Sequence, residues 1–195
     1  MSNTSEIEVP FHGGKLSVPK DIAVSAWLEK VMGRTEQAVR SVPRIGEVWP
    51  GQGGFNGGLA RHADGRPYWL IVSPDTIGAF GDVPWGDYGT DVPGAKDEFD
   101  GYANTQALTA TGDHPAARKC GEVEFEGHRD YYVPAKRESA VLYANVPDLF
   151  VREWHWTSTQ CSANGAWCQY FTNGDQDAGY KNSKGRVRAV RRLDF

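Results

Sequence analysis

The sequence predicts a mixed α+β protein built from many short elements, and three observations favour this class. Aromatic residues make up 12% of the 195 residues, and 23 glycines and 11 prolines interrupt the chain, as is typical of short elements joined by tight turns. Two segments repeat apolar residues at helical spacing, and several short stretches alternate apolar and polar residues as strands do. A chain of this length can form one compact domain with a small appendage.

Residues 1–44 are predicted to form a hairpin followed by a helix. The stretch 7–18 alternates around two glycines, and 21–40 repeats apolar residues at helical spacing. We interpret this segment as an attachment or oligomerisation element, with the alternative that it caps the core of a domain at 45–195. The first residues carry no signal-peptide pattern, so we expect none, and no stretch is apolar enough to predict membrane insertion.

The glycine-rich stretch 45–58 predicts a strand, a broad turn and a second strand. It contains six glycines but lacks the spacing and the Lys-Ser/Thr end of a phosphate loop. Residues 68–72, which follow a turn at 64–67, predict a strongly buried strand. The following stretch, 73–101, is rich in proline, glycine and acidic residues, which predicts a long loop.

The middle of the chain predicts helical turns at 104–108 and 115–120, a strand at 130–134, and an amphipathic helix at 135–145. Glu138 lies on that helix, where we expect it to cap the helix or to pair with an arginine of the last strand. The residues expected to face inward from this helix are Ala140, Val141 and Ala144.

The C-terminal segment, 154–195, predicts strands that hold aromatic residues inward and present amide and hydroxyl groups in loops, as recognition surfaces do. Its basic run, 181–192, contains arginines that alternate with apolar residues, so one strand face should be polar and the other packed. The 21 basic and 25 acidic residues give a net charge of −4. We therefore expect no attraction to nucleic acid or to anionic lipid.

Three ordered motifs carry a resemblance to a known family: Tyr132 to Glu138 (YVPAKRE), Trp156 to Thr159 (WTST) and Val187 to Arg192 (VRAVRR). They are similar to the Lcl-type C-terminal domain family of bacterial collagen-like adhesins and of phage and prophage proteins. The resemblance covers the chain from about Ile45 to Leu193. Departures from the family pattern are Val133 in place of Leu, Ser139 in place of Leu, and Thr157 in place of the first Ser.

The resemblance implies a C-type-lectin-like domain, with two helices flanking a twisted, mainly antiparallel sheet and long irregular loops. Phage tropism proteins and formylglycine-generating enzymes share that fold. The resemblance further implies a non-enzymatic virion surface protein, such as a tail fibre or tail-tip adhesin, that binds a host cell-surface glycan or protein. Its N-terminal segment would dock to virion structural proteins, and a homotrimer is expected. The alternative is an architectural component without a ligand, such as a capsid decoration or baseplate protein.

The candidate ligand-binding residues combine aromatic rings with uncharged polar groups, which can stack and hydrogen-bond without burying charge. The alternative is that Trp167 and Tyr170 belong to the core and the remainder to ordinary loops. The set is Ser162, Asn164, Trp167, Gln169, Tyr170, Asn173, Asp175, Gln176 and Tyr180.

Catalytic and metal-binding alternatives are weaker, and we predict no catalytic residue, metal or cofactor. Cys161 and Cys168 lie seven residues apart, so a hairpin could join them as an oxidase-like copper pair, but free cysteines are commonly buried apolar groups. The histidines show no zinc-hydrolase spacing. Asp175 and Asp177, with two neighbouring asparagines at 173 and 182, offer oxygens for Ca²⁺ but lack the triplets of calcium-dependent lectins.

Overall fold

The computed structural model describes residues 6–11, 14–19, 23–24 and 42–195. Contacts divide the chain into two compact units, Met1–Val42 and Pro43–Phe195, close to the predicted boundary at residue 44. In the first unit, β1 (Glu6–Phe11) pairs antiparallel with β2 (Gly14–Pro19), as the alternation of this stretch predicts. The helix predicted at 21–40 lies outside the described residues except at Ala23 and Val24.

The second unit begins with a four-stranded antiparallel sheet in the order β11-β5-β4-β3. Its strands are β3 (Val48–Trp49), β4 (Gly54–Arg61), β5 (Pro67–Val72) and β11 (Val190–Asp194). The predicted strand, turn and strand of the glycine-rich stretch is confirmed. Glycine is needed where β4 begins, because a Cβ at Gly54 would collide with the carbonyl group of Val72.

A second sheet of the same unit has five strands in the order β6-β10-β7-β8-β9. Its strands are β6 (Ala79–Pro84), β7 (Trp154–Gln160), β8 (Gly165–Tyr170), β9 (Gln176–Tyr180) and β10 (Lys184–Arg188). Strands β7 and β10 pair parallel, and the other pairings are antiparallel. The prediction of one continuous loop over 73–101 is wrong, since β6 forms there. Four of its six residues (Ala, Gly, Asp and Pro) are poor strand formers, and a partner about a hundred residues later supplies the hydrogen bonds.

Four α-helices of the second unit are described: α1 (Asp75–Gly78), α2 (Gly101–Thr109), α3 (Pro115–Gly121) and α4 (Lys136–Asn145). The predicted helical segments at 104–108, 115–120 and 135–145 are therefore confirmed. The α+β class is also confirmed, with two sheets in place of the single sheet that was expected. Among the described residues, no helix is long and apolar enough to cross a bilayer.

Helix α4 buries a different face from the predicted one. Ala140 and Ala144 are exposed and Val141 is half-buried, while Ser139 and Leu142 point into the core. Small alanines were expected to pack inward, but the large Leu142 side chain joins the cluster around β4 and β5, and it buries more apolar area than an alanine.

Glu138 is buried and holds this helix in place by capping it. Its carboxylate accepts hydrogen bonds from the hydroxyls of Tyr68 (2.6 Å) and Tyr132 (2.8 Å) and from the backbone N–H of Ala135 (2.6 Å). The predicted capping role is confirmed, whereas the alternative pairing with an arginine of the last strand is not observed. Arg192 pairs with Asp100 instead, at 3.1 Å.

The strand predicted at 130–134 is reduced to one bridge between Tyr132 and Val190. The residues that follow Tyr132 bond elsewhere: the N–H of Val133 donates to the hydroxyl of Thr105, and the carbonyl of Pro134 accepts from Ser158. Because these backbone groups bind a helix and another sheet, the segment links layers instead of extending one ladder.

Candidate functional site

The structure separates the nine candidate residues into several places on the β8–β9 hairpin. Ser162 and Asn164 lie in the turn before β8, and Asn173 and Asp175 lie in the turn after it. A strand rises about 3.3 Å per residue, so these two turns are roughly 20 Å apart at opposite ends of the six-residue strand. The nine residues therefore do not form one continuous site.

Three of the candidates pack on the side of the sheet that faces helix α4. The ammonium of Lys136 lies 3.5 Å from the centre of the half-buried Trp167 ring. The amide of Gln176 donates to the carbonyl of Lys136 (2.8 Å) and to Gln169 (2.9 Å). Gln169 is buried, whereas the sequence predicted it on display. These contacts match the structural alternative for Trp167.

Asn173 and Asp175 hydrogen-bond each other within their own turn. The amide of Asn173 donates to the Asp175 carboxylate at 2.7 Å, and the N–H of Asp175 donates back to Asn173 at 3.1 Å. Asn182, the fourth oxygen donor considered for Ca²⁺, lies beyond the far end of β9. Within residues 6–11, 14–19, 23–24 and 42–195, no three His, Cys, Asp or Glu side chains are grouped to hold a metal ion.

Ser162, Asn164 and Tyr180 are brought together at one end of the second sheet. Tyr180 pairs with Gly165, the first residue of β8, and the N–H of Lys181 donates to the carbonyl of Asn164 at 3.0 Å. The exposed rings of Tyr88 and Tyr180 meet edge to face with centroids 6.1 Å apart. We call this surface the tyrosine tip: Tyr88, Ser162, Asn164, Tyr180 and Asn182.

A buried lysine connects the segments that carry the tyrosine tip. The side chain of Lys181 is fully buried, and its ammonium donates to the carbonyl of Thr90 and to the amide oxygen of Gln160, both at 2.6 Å. It also lies 4.7 Å from the centre of the Trp85 ring. Burial lowers the pKa of Lys181. The loop bearing Tyr88 and the turn bearing Asn182 are thus tied to β7.

The sequence did not predict this scaffold, because Lys181 belongs to a basic run for which the pattern predicts only one polar and one packed strand face. Two arginines of the run are also buried. Arg188 donates to the carbonyl of Ser73 at 2.6 Å, and Arg191 pairs with Asp130 at 2.8 Å. The prediction that one face of the last strands is polar is therefore wrong at Arg188. Buried cations of this kind bind carbonyl and carboxylate partners that lie far away in the chain.

His114 is a second buried polar group near this scaffold. Its ring packs edge to face on Trp85, with centroids 5.3 Å apart. Neither ring nitrogen has a hydrogen-bond partner among the described residues, and burial lowers the pKa of His114. The imidazole is therefore neutral near pH 7 and serves as packing beneath the loop of Tyr88.

Tyr170, the remaining candidate, borders a separate groove. Its ring stacks on Trp154 with centroids 4.8 Å apart and planes 17° from parallel. Two adjacent cavities of about 330 and 370 Å³ share Trp154, Lys184 and Gly185. We call this surface the tryptophan groove: Asp82, Trp154, Trp156, Tyr170, Asp177 and Lys184.

Cys161 and Cys168 are free thiols. Cys161 is exposed, whereas Cys168 is buried under the tryptophan groove, and burial raises the pKa of its thiol to about 12. A buried thiol with a raised pKa is neutral at pH 7 and is a poor nucleophile and metal ligand. The oxidase alternative thus gains no support from this pair.

No protein-family model matches the chain, and no curated protein matches it in sequence.

Proposed function

We propose that the protein is a virion surface component of a phage or prophage that binds a host cell-surface ligand through the tyrosine tip. The observation that carries the proposal is the exposed pair Tyr88 and Tyr180, whose side chains are 51% and 67% exposed. Ser162 and Asn164 lie in the turn next to the end of β9 that carries Tyr180, and Asn182 borders the same cavity as Tyr88. Rigid aromatics beside small polar groups make contact area at low entropic cost, as in antibody paratopes.

The hydrogen-bonded scaffold below the tyrosine tip favours a ligand-binding role for these residues over the alternative that they form an ordinary solvated loop. Lys181 and Gln160 hold the tip segments by buried hydrogen bonds, so little conformational entropy remains to be lost on binding. In this proposal the domain has the C-type-lectin-like fold that the motif resemblance implies. The N-terminal unit attaches it to virion proteins, and a trimer raises weak single-site affinity by avidity.

Removal of the two tip rings tests the proposal. The fluorescently labelled full chain is incubated with a panel of bacterial cells, and bound protein is measured by flow cytometry. We expect Tyr88→Ala with Tyr180→Ala to lower binding at least about tenfold, because central aromatic side chains carry much of the energy of such contacts. The matched control is Phe195→Ala, which removes a 76% exposed aromatic ring from the other sheet and leaves the tip intact.

An architectural role without a ligand is the second candidate, and the exposed face of α4 favours it. Leu59, Phe99, Ala140, Val141 and Ala144 line an open cavity of about 460 Å³. Apolar surface of this kind is typical of a protein contact. If this role is right, Ala140→Glu with Ala144→Glu abolishes self-assembly measured by light scattering, and the labelled chain binds none of the cells in the panel. That result would overturn the host-binding proposal.

A further inference from the structure

We propose that the tryptophan groove is a saccharide-binding site that takes an uncharged sugar chain of at least two units. The groove arises from the order of the second sheet. Strands β9 and β10 are consecutive in the chain, yet β7 and β8 lie between them in the sheet. The site is distinct from the tyrosine tip and does not depend on a virion role.

The base of the groove is formed by Trp156, which lies between two glycines of different strands. A Cβ on Gly179 would come within 2.8 Å of the Trp156 ring, and a Cβ on Gly185 would come within 2.7 Å. The indole nitrogen donates to the carbonyl of Val83 at 3.0 Å. Trp156 is therefore fixed, and its buried ring occupies the space that side chains at both glycines would need.

Trp154 provides an aromatic platform at the middle of the groove. Its ring is 39% exposed and is backed by Tyr170 through the parallel stack. An indole held in this way loses little freedom when a ligand packs on it. The C–H faces of pyranose rings are apolar, and they pack well on aromatic rings that are partly exposed to solvent.

Polar groups at the rim suit sugar hydroxyls and carry little net charge. Asp177 and Lys184 border the first cavity, and Asp82 borders the second together with the ion pair of Glu153 and Arg186 at 2.6 Å. Three carboxylates against two cations leave the groove close to neutral. Carboxylates and an ammonium bind hydroxyl groups strongly, while an anionic polymer would gain no net attraction.

The two cavities predict the length of the ligand. Each exceeds the roughly 300 Å³ at which small-molecule sites begin, and Trp154 borders both. Sugar rings in the two cavities would therefore both lie against the Trp154 side chain. A folded protein partner would need on the order of 1,000 Å² of contact, which the groove does not offer.

The test is a titration of the full chain with uncharged disaccharides of glucose and of N-acetylglucosamine, followed by tryptophan fluorescence and calorimetry. The matching monosaccharides and a galacturonate oligomer are titrated in parallel. We expect saturable binding of an uncharged disaccharide, weakened at least about tenfold in Trp154→Ala and in Lys184→Ala. Lys184→Ala keeps the aromatic stack, so it reports on the site even if Trp154→Ala misfolds. Phe195→Ala and the double tip variant should bind as the original chain does.

Three results would overturn the inference: no saturable binding of any uncharged disaccharide, full binding by both groove variants, or preference for the galacturonate oligomer. Equal affinity for monosaccharide and disaccharide would refute the two-unit length. Loss of cell binding in the tip variant with intact disaccharide binding separates this site from the tip. Disaccharide binding without any cell binding supports the groove and counts against the proposed host attachment.

Discussion

At the scale of single residues, this protein surrounds buried ionisable side chains with hydrogen-bond partners, some of which are distant in sequence. Glu138 is the clearest case, because its carboxylate has two tyrosine hydroxyls and a backbone N–H around it. Burial nevertheless outweighs these hydrogen bonds and raises the pKa of Glu138 to about 7. The ionised form is thus disfavoured in the folded state relative to the unfolded one.

Glu138 therefore makes stability depend on pH in a defined direction. Between about pH 4.5 and 7 the folded state binds more protons at this site than the unfolded state, so the free energy of unfolding falls as pH rises. The contribution is on the order of 3 kcal/mol, from about 1.4 kcal/mol per pKa unit. Urea unfolding of the original chain and of Glu138→Gln measures it, and the difference between the two should fall from pH 5 to pH 8.

A matched control for this prediction is Glu122→Gln, because Glu122 is exposed. The difference in the free energy of unfolding between Glu122→Gln and the original chain should not change over the same pH range. A flat difference for Glu138→Gln as well would mean that Glu138 does not titrate near neutral pH. Glutamine has only one acceptor oxygen, so either the N–H of Ala135 or the two tyrosine hydroxyls lose their acceptor, which lowers the stability of the variant by a constant amount.

At the scale of elements, the connection between β9 and β10 determines both candidate surfaces. In this connection Lys181 is buried and Asn182 is exposed, and Lys184, which follows at the start of β10, lines the tryptophan groove. The buried ammonium fixes the loop of Thr90 against β7. The connection therefore couples the position of the tyrosine tip to the core of the second sheet.

Replacement of Lys181 should destabilise the segments that carry the tyrosine tip, although Lys181 is not one of the tip residues. Lys181→Met keeps an apolar chain of similar length but removes the ammonium donor from the carbonyl of Thr90 and from the amide oxygen of Gln160, which keeps only the N–H of Val92. We expect the free energy of unfolding to fall by about 2 to 3 kcal/mol. Hydrogen exchange should quicken at the N–H groups of Gly89 and Lys181, which bond to the 161–164 turn.

Lys184→Met serves as the matched control for that experiment, since Lys184 is exposed three residues further along. It should leave both stability and exchange unchanged. If Lys181→Met behaves like the control, the buried ammonium does not hold the tip segments.

At the scale of the whole molecule, the chain consists of two units that are compact by themselves, Met1–Val42 and Pro43–Phe195. The second unit contains the three apolar clusters, around Leu70, Val187 and Trp156, and both candidate surfaces. Among the described residues, these clusters consist of residues of the second unit, so we expect that unit to fold independently.

Removal of residues 1–42 should therefore separate folding from attachment. The fragment 43–195 should unfold in one cooperative transition and keep the disaccharide binding of the groove. If the first unit assembles the chain into a trimer, the fragment should be monomeric in light scattering and bind cells roughly a hundredfold more weakly, through lost avidity. A fragment that fails to unfold cooperatively, or that remains oligomeric, would contradict this division of roles.

Local sequence patterns were sufficient for elements that satisfy their hydrogen bonds within a short stretch. Helices α2, α3 and α4 and short strands in the C-terminal segment follow from helical spacing, alternation and turn residues. They were insufficient for β6, whose strand depends on pairing with β10. They also gave the wrong face of α4, because the burial of Glu138 depends in part on Tyr68, which lies 70 residues earlier.

The candidate site was predicted only in part for a similar reason. Amide and aromatic residues of the C-terminal segment indicated a recognition surface, and Ser162, Asn164 and Tyr180 do lie together. Tyr88 could not be added from the sequence, since it lies in a loop more than seventy residues earlier. The same holds for Asp82, which meets Trp154 only across the second sheet.

The sequence by itself determined the α+β class, most of the helices and strands, and the concentration of aromatic and amide side chains near the C-terminus. Periodicity and turn chemistry act over a few residues, so they can be recognised without a fold. Only the tertiary structure decided which of these side chains are buried, which form the tyrosine tip, and that a groove opens beside Trp154. Those outcomes depend on strand order and on packing between residues far apart in the chain, which local patterns do not encode.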